Sequence, residues 1–205
     1  MKFIFFLLFI VLFPFYFSAQ SLCKQFLSLS KPEKNWVIAH PFISKKAFRI
    51  TIEVQKVVDS IKRSGTIGVD NNGGKLDAFK HAYWMASTAN SIGSKKAKKL
   101  GKAHEKGNYL QYKKHELEES ILPDSVSSEM DLKNNEVGIS LIEKHKKLSP
   151  QVIQKKVLTA LHEGKLTIIK KDESGHYLNN DGTKIPMDEW VEKWGIPKCL
   201  VPSNE

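Results

Sequence analysis

The segment from Leu76 to Ile92 constrains the fold most, because it is apolar around nearly the whole circumference of a helix. A helix of this kind has no face suited to water and is normally buried at the centre of a protein. Gly93 follows as a natural stop, and Ser94 can cap a next helix. We therefore expect a central helix over this range, with other helices packed around it. Its apolar residues are Ala78, Phe79, Ala82, Tyr83, Trp84, Met85, Ala86 and Ala89.

Further helices are predicted on both sides of this segment. Apolar residues recur in them at helical spacing, and Gly65 and Gly164 are natural stops. Ser149-Pro150 is a cap followed by proline at the first helical position. The predicted ranges are 47–65, 94–107, 127–148, 150–164 and 186–194.

The pattern changes to that of strands after the helix that ends at Gly164. Two short apolar segments, 166–170 and 176–178, are separated by a polar turn, and Asn180-Asp181-Gly182 is typical of a second turn. This predicts a small β-hairpin at about 166–185. The fold class is therefore mainly α: a compact, bundle-like helical domain with a small β-hairpin near its C-terminus.

Residues 1–21 have the pattern of a secretory signal peptide: a basic start, an apolar run over 3–17 and the small-residue cleavage site Ala19-Gln20-Ser21. A retained membrane anchor is the alternative. The run is shorter than the ~20 residues that span a bilayer, and Pro14 interrupts it. We expect a single domain over 22–205, secreted or periplasmic, with no transmembrane segment once the leader is cleaved.

The two cysteines lie near opposite ends of this mature chain, at Cys23 and Cys199. In an oxidising compartment such a pair is first interpreted as a disulfide. It would close almost the whole chain into one loop, for which the chain-entropy model gives roughly 4–5 kcal/mol. Lipid attachment at Cys23 is the alternative, and the preceding Gln20 and Leu22 do not fit its pattern.

The chain is basic, with a formal net charge of +10. A basic surface favours anionic partners such as phospholipid, nucleic acid or a cell-wall polymer, although solubility alone would also explain it. Arg49 and Arg63 are the only arginines, and the lysines are scattered without interleaved aromatic residues. This argues against a dedicated nucleic-acid motif.

Three segments place polar or ionisable groups on otherwise apolar helix faces: residues 77–84, 104–105 and 130–135. Burying such groups is costly unless they are paired, hydrogen-bonded or bound to a metal. We therefore expect the three segments to converge on one polar site. The candidate catalytic residues are Asp77, His81, His104 and Glu105.

Asp77 and His81 are four residues apart and so share one helix face. A carboxylate beside an imidazole fixes its tautomer and raises its basicity, as in general-base dyads and metal sites. A structural histidine packed among aromatic residues is the alternative. His104 lies on the apolar stripe of its own helix, where a satisfied core histidine is again the alternative, and the adjacent Glu105 points elsewhere.

The third segment forms one polar strip, because Asp131, Asn134, Asn135 and Gly138 follow at helical spacing. Two carboxamides and a carboxylate offer several oxygens to a hard cation, and a capping or exposed polar patch is the alternative. Two imidazoles with a carboxylate suit an open site for a divalent metal, Zn, Mn, Mg or Ca. The candidate metal ligands are His81, His104, Asp131, Asn134 and Asn135.

The three segments together resemble an uncharacterised family of bacterial domains of unknown function. The resemblance lies in Asp-Ala-Phe-Lys-His-Ala-Tyr-Trp, then His-Glu, then Met-Asp-Leu-Lys-Asn-Asn-Glu-Val-Gly, and covers about 70–145. Such domains occur in secreted proteins and at the C-terminal ends of toxin-like proteins. The family usually has arginine at the position of Lys80 and often histidine at Lys133. A fainter resemblance is to secreted phospholipase A2, from which this chain departs because it lacks an aspartate directly after His81 and a dense cysteine frame.

Two functions remain open at this point. The first is a secreted, metal-dependent hydrolase of a phosphoester or lipid ester, similar to a phospholipase or a nuclease and related to toxins or effectors. The second is a non-catalytic secreted helical module in which the buried His, Asp and Asn groups only specify packing.

Overall fold

The structure is a computed structural model, and it describes residues 25–117, 122–143 and 147–205. Helices dominate these ranges, and a small two-stranded antiparallel sheet lies near the C-terminus. The mainly α fold class is therefore confirmed. In chain order the elements are α1 (Lys31–Ala39), α2 (Pro41–Ser64), α3 (Lys75–Ile92), α4 (Ser94–Lys113), α5 (Ser125–Ser140), α6 (Pro150–His162), β1 (Thr167–Ile169), α7 (Met187–Trp190) and β2 (Leu200–Pro202).

The central helix is α3, as its apolar circumference predicts. It packs against α2, α4, α5 and α6, so that water reaches almost none of it. Leu76, Phe79 and Met85 are completely buried on it. The burial of aliphatic and aromatic side chains of this size stabilises the fold by ~1.5–3 kcal/mol each.

Helix α1 was not predicted, although its start carries a recognisable signal. Ser30 caps the helix and Glu33 reaches back to the Ser30 amide, which forms a capping box, and Pro32 occupies the first turn. Trp36 is buried from this helix and donates its indole N–H to the Lys96 carbonyl on α4. The capping box thus fixes a helix that lies against α4.

The predicted helices form with corrected bounds, except that the one predicted over 186–194 is reduced to a single turn, Met187–Trp190. Helix α2 ends at the left-handed Gly65 as expected, but it begins at Pro41 rather than near Ala47. Helix α4 continues past Gly107, because that glycine gives room for the Ser30 side chain instead of ending the helix. The predicted helix over 127–148 ends earlier, at Ser140.

Two helices approach each other closely at Gly138 on α5. A Cβ built there would clash with the Ala82 carbonyl oxygen on α3 and lie 2.8 Å from the Ala82 carbonyl carbon. The bare glycine therefore lets two backbones touch, and this sets the distance between the polar groups of α3 and α5.

The sheet near the C-terminus forms with a different partner from the predicted one. Strand β1 pairs antiparallel with β2, Ile168 opposite Val201, instead of with residues 176–178. The Asp172 carboxylate accepts the backbone N–H groups of Ser174 and His176 and bends the chain after β1. Only isolated bridges, such as Lys171 with Tyr177, remain of the predicted hairpin.

The C-terminal segment also fixes the start of α5. The buried Lys198 ammonium lies 2.8 Å from Oδ2 of Asp124, the residue that caps α5. Lys198 also lies over the Tyr177 ring, 3.7 Å from its centroid. This pairing ties the C-terminal segment to the start of the helix that carries Asp131.

Two predictions depend on residues outside the described ranges. The signal peptide and the position of Cys23 belong to residues 1–24, so cleavage and the Cys23–Cys199 disulfide stay predictions. Within the described ranges Cys199 has no disulfide partner. Over the described ranges, no helix combines the length and hydropathy that crossing a membrane requires.

Candidate functional site

Asp77 and His81 occupy successive turns of α3 at its buried N-terminal end. The Asp77 Oδ2 accepts the Gly73 backbone N–H at 2.8 Å, and its Oδ1 lies 2.9 Å from the Lys80 ammonium. Its Oδ1 also lies 3.6 Å from Nε2 of His81. The loop before α3 and the spacing of four residues together hold this carboxylate against the imidazole.

Asp131 on α5 completes the group from the other side. Its Oδ1 lies 3.3 Å from the same His81 nitrogen, Nε2. Asp77, His81 and Asp131 are all buried, and each offers one ligand atom within 4.8 Å of the others. We call these three residues the buried cluster. Its geometry could hold a metal ion, with two carboxylate oxygens and one imidazole nitrogen as ligands.

The His81 ring is neutral in this setting. Burial lowers its pKa well below the ordinary value, and the charges of Lys80 and His104 lower it further. The polar amide of the neighbouring Asn135 acts in the opposite direction and raises the pKa of His81. Neutral imidazole is the form in which histidine binds metals or accepts protons.

His104 lies beside the buried cluster rather than in it. Its ring centroid is 6.2 Å from that of His81, and Trp84 packs edge-on against it at 5.3 Å. Its Nδ1 is 3.0 Å from Oε1 of Glu33 on α1. Glu33 was not predicted as a site residue, although the capping box that positions it is visible in the sequence.

The Glu33 carboxylate is ionised although it is largely enclosed. Burial alone would raise the pKa of Glu33, but the hydrogen bond and charge of His104, with the Ser30 hydrogen bonds, bring it below the ordinary value. A carboxylate on Nδ1 fixes the imidazole tautomer and leaves Nε2 as the basic nitrogen. Glu33 and His104 therefore form a second carboxylate–imidazole pair.

The remaining predicted site residues separate into different roles. Glu105 is buried on α4 and accepts a hydrogen bond from Asn108 on the same helix. Asn134 uses both amide atoms on β1: Nδ2 donates to the Thr167 carbonyl and Oδ1 accepts the Thr167 N–H, each at 2.8 Å. Asn135 lies against His81, although neither of its amide atoms makes a hydrogen bond of standard geometry to a described residue.

We therefore expect alanine substitutions at these two neighbouring asparagines to change stability by very different amounts. Asn134→Ala should lower the free energy of unfolding by about 2–4 kcal/mol, because each orphaned, enclosed backbone group of Thr167 costs roughly 1–3 kcal/mol. Asn135→Ala should change it by under about 1 kcal/mol, because no formed hydrogen bond is lost. Urea denaturation of both variants measures the difference, and equal losses would contradict the assignment.

A cavity of about 270 Å³ opens beside these groups, between the first four helices. His81, His104, Lys80 and Glu33 line it together with Trp84, whose indole donates to a Thr51 hydroxyl at its edge. The other lining residues are mostly apolar: Leu29, Trp36, Val37, Ala47, Phe48, Val54 and Leu100. Such a combination of apolar walls and a few convergent polar groups is typical of small-molecule sites.

The chain matches one known protein family over most of its helical part. The family described as Domain of unknown function (DUF6973) matches residues 34–165, which is more than half of the chain and includes Asp77, His81, His104 and Asp131. The chain belongs to this family, and the resemblance to an uncharacterised family is confirmed. No curated protein and no solved structure matches the chain.

Proposed function

We propose that this protein is a secreted hydrolase that uses a divalent cation to cleave a phosphoester or lipid ester. The observation that carries the proposal is the buried cluster, whose His81 lines the cavity together with the Glu33–His104 pair. The leader pattern of residues 1–21 supports secretion. The net charge of +10 supports an anionic substrate or surface.

The spacing of the buried cluster supports cation binding. Zinc ligands lie about 2.0–2.2 Å from the metal, so tetrahedral ligand atoms are about 3.4 Å apart. The measured separations from His81 Nε2, 3.3 Å to Asp131 and 3.6 Å to Asp77, are close to this value. Two neighbouring buried carboxylates also repel each other, and a cation between them would remove that cost.

A divalent cation held by Asp77, His81 and Asp131 would act as a Lewis acid and make a water molecule more acidic. Glu33 would orient the His104 ring through Nδ1. The other ring nitrogen, Nε2, would then take a proton from that water. The water oxygen then bonds to the ester carbon or phosphorus, and the bond from that atom to the leaving oxygen breaks. His104 returns the proton to the leaving oxygen, so that the ester and water become an acid and an alcohol.

Hydrolysis of p-nitrophenyl butyrate and bis(p-nitrophenyl) phosphate, with Zn²⁺, Mn²⁺, Mg²⁺ or Ca²⁺ supplied, tests this proposal. We expect His81→Asn and His104→Asn each to lower kcat by about 10²–10⁴-fold, the usual contribution of a positioned proton-transfer group or its metal. The matched control is His176→Asn. Its imidazole pairs with Asp172 at the same spacing of four residues but on the surface, 3.1 Å away.

The control should keep the wild-type rate, since His176 is remote from the cavity lining. Wild-type rates in both His81→Asn and His104→Asn would overturn the proposal. The absence of hydrolysis with every substrate and every cation would overturn it as well.

One observation favours the non-catalytic alternative. Asn134, a predicted site residue, instead makes two hydrogen bonds to the Thr167 backbone on β1. If the whole network only specifies packing, His81→Asn and Asp131→Asn should lower the melting temperature substantially. A functional site often behaves in the opposite way, because polar groups are buried there at a cost to stability. Melting curves of these two variants therefore distinguish the two functions.

A further inference from the structure

The walls of the cavity divide it into a polar end and an apolar body. Lys80, His81, His104 and Glu33 mark the polar end. Aliphatic and aromatic side chains form most of the body, with Ser44, Thr51 and Gln55 among them, and no charged group apart from those four residues lines it within the described ranges. A substrate that fits must place its reacting group at one end and a long apolar part along the rest.

The apolar body continues beyond this cavity. A second cavity of about 240 Å³ adjoins it and shares Leu29, Val37, Ser44 and Phe48 as walls. Its further lining includes Phe26 and the stem of Lys45. The two cavities together form an apolar channel between α1 and α2 that ends at the catalytic groups.

Exposed apolar side chains lie on the outside of the same two helices and on the segment just before α1. Phe42 is 98% exposed at the start of α2, and Ile38 and Leu27 are 67% and 64% exposed. Lysines lie among them, including Lys45 and Lys46, whose side chains reach the surface. Apolar side chains with lysines around them suit the boundary of an anionic lipid layer.

We propose that the channel binds the acyl chain of an anionic lipid ester, with the ester carbonyl at His81 and His104. This inference rests on the proposed hydrolase function and selects lipid over nucleic acid as its substrate. A nucleotide offers no long apolar part for the channel, and its phosphates would need the clustered cations that the channel walls lack. The phosphoester of nucleic acid is therefore the competing outcome of the test.

Binding is measured first, independently of catalysis. Trp36 and Trp84 line the channel, so their fluorescence reports its occupation. We expect laurate to change the emission and to bind far more tightly than butyrate, because each buried methylene strengthens binding about fourfold. Ala47→Phe fills the channel from a buried position and should weaken laurate binding by about tenfold or more.

The matched control is Ala39→Phe, which adds the same side chain at an exposed site on α1 and should leave laurate binding unchanged. If Ala47→Phe does not fold, Phe48→Ser provides a second test from a half-buried wall position, with weaker laurate binding again expected. Equal laurate affinity in the wild type and the channel variants overturns the inference.

Hydrolysis separates the two proposals. We expect p-nitrophenyl laurate to be preferred over the butyrate ester, with Ala47→Phe reducing the laurate rate and Ala39→Phe leaving both rates unchanged. Butyrate hydrolysis without laurate binding would overturn the acyl channel and leave the hydrolase. Laurate binding without hydrolysis of any ester would overturn the hydrolase and leave the channel, and cleavage of an oligonucleotide but not of lipid esters would overturn the lipid substrate.

Discussion

Gly138→Ala should lower the free energy of unfolding by about 3 kcal/mol or more, at the upper end of the range for overpacked cores. The added methyl group meets the Ala82 backbone, 2.8 Å from its carbonyl carbon and 2.9 Å from its Cα, so a side-chain rotation cannot relieve the clash. The helices must separate instead. For a chain of this length the melting temperature should fall by roughly 6–12 °C.

The same substitution at Gly101 on α4 is the matched comparison. A Cβ there would lie 3.1 Å from the Asn135 amide nitrogen and 3.2 Å from the Met85 sulfur, both on side chains that can shift. The gain of about 1 kcal/mol in helix propensity should offset much of that cost. Thermal and urea denaturation check both variants, and equal stability of Gly138→Ala and the wild type would contradict the packing described for α3 and α5.

The central helix and the main partners within the buried cluster were predictable from the sequence. Helix α3 is apolar around nearly its whole circumference, and a helix of this kind is normally buried in the core. The spacing of Asp77 and His81, and the helical position of Asp131, follow from periodicity alone. Buried charged groups cost much less free energy when they pair with one another. The convergence of Asp77, His81 and Asp131 could therefore be predicted.

Contacts between distant segments could not be predicted in this way. Periodicity assigns a residue to a helix face, but it does not say which helix lies opposite. Glu33 reaches His104 across α1 and α4, and Asn134 reaches Thr167 on β1. The pairing of β1 with β2 likewise depends on the fold of the whole C-terminal segment rather than on a local turn.

Saturating Zn²⁺ or Mn²⁺ should raise the melting temperature by roughly 5–10 °C. An ion at a hundredfold excess over its Kd stabilises the folded state by about 2.7 kcal/mol, and each kcal/mol corresponds to about 2–4 °C for a chain of this length. The physical reason is that the ion would neutralise the buried Asp131 carboxylate, which lies near Asp77 and its Lys80 partner. Ca²⁺ should have a smaller effect, because it requires about 6–8 oxygen ligands.

Asp131→Asn should abolish this stabilisation, since it removes the charge of one ligand and keeps its shape. Glu129→Gln is the matched control on the same helix. It also removes one carboxylate charge, but from an exposed pair with Lys133 that contributes little to stability. The control should keep the full increase in melting temperature.

Calorimetric titration of these ions into the purified protein tests the proposed metal site most directly. The account predicts a single ion bound per chain in the wild type and in Glu129→Gln, and an affinity at least about 100-fold lower in Asp131→Asn, beyond the loss typical of outer-shell changes. Binding of equal strength in Asp131→Asn, or no binding of any divalent cation to the wild type, would contradict it.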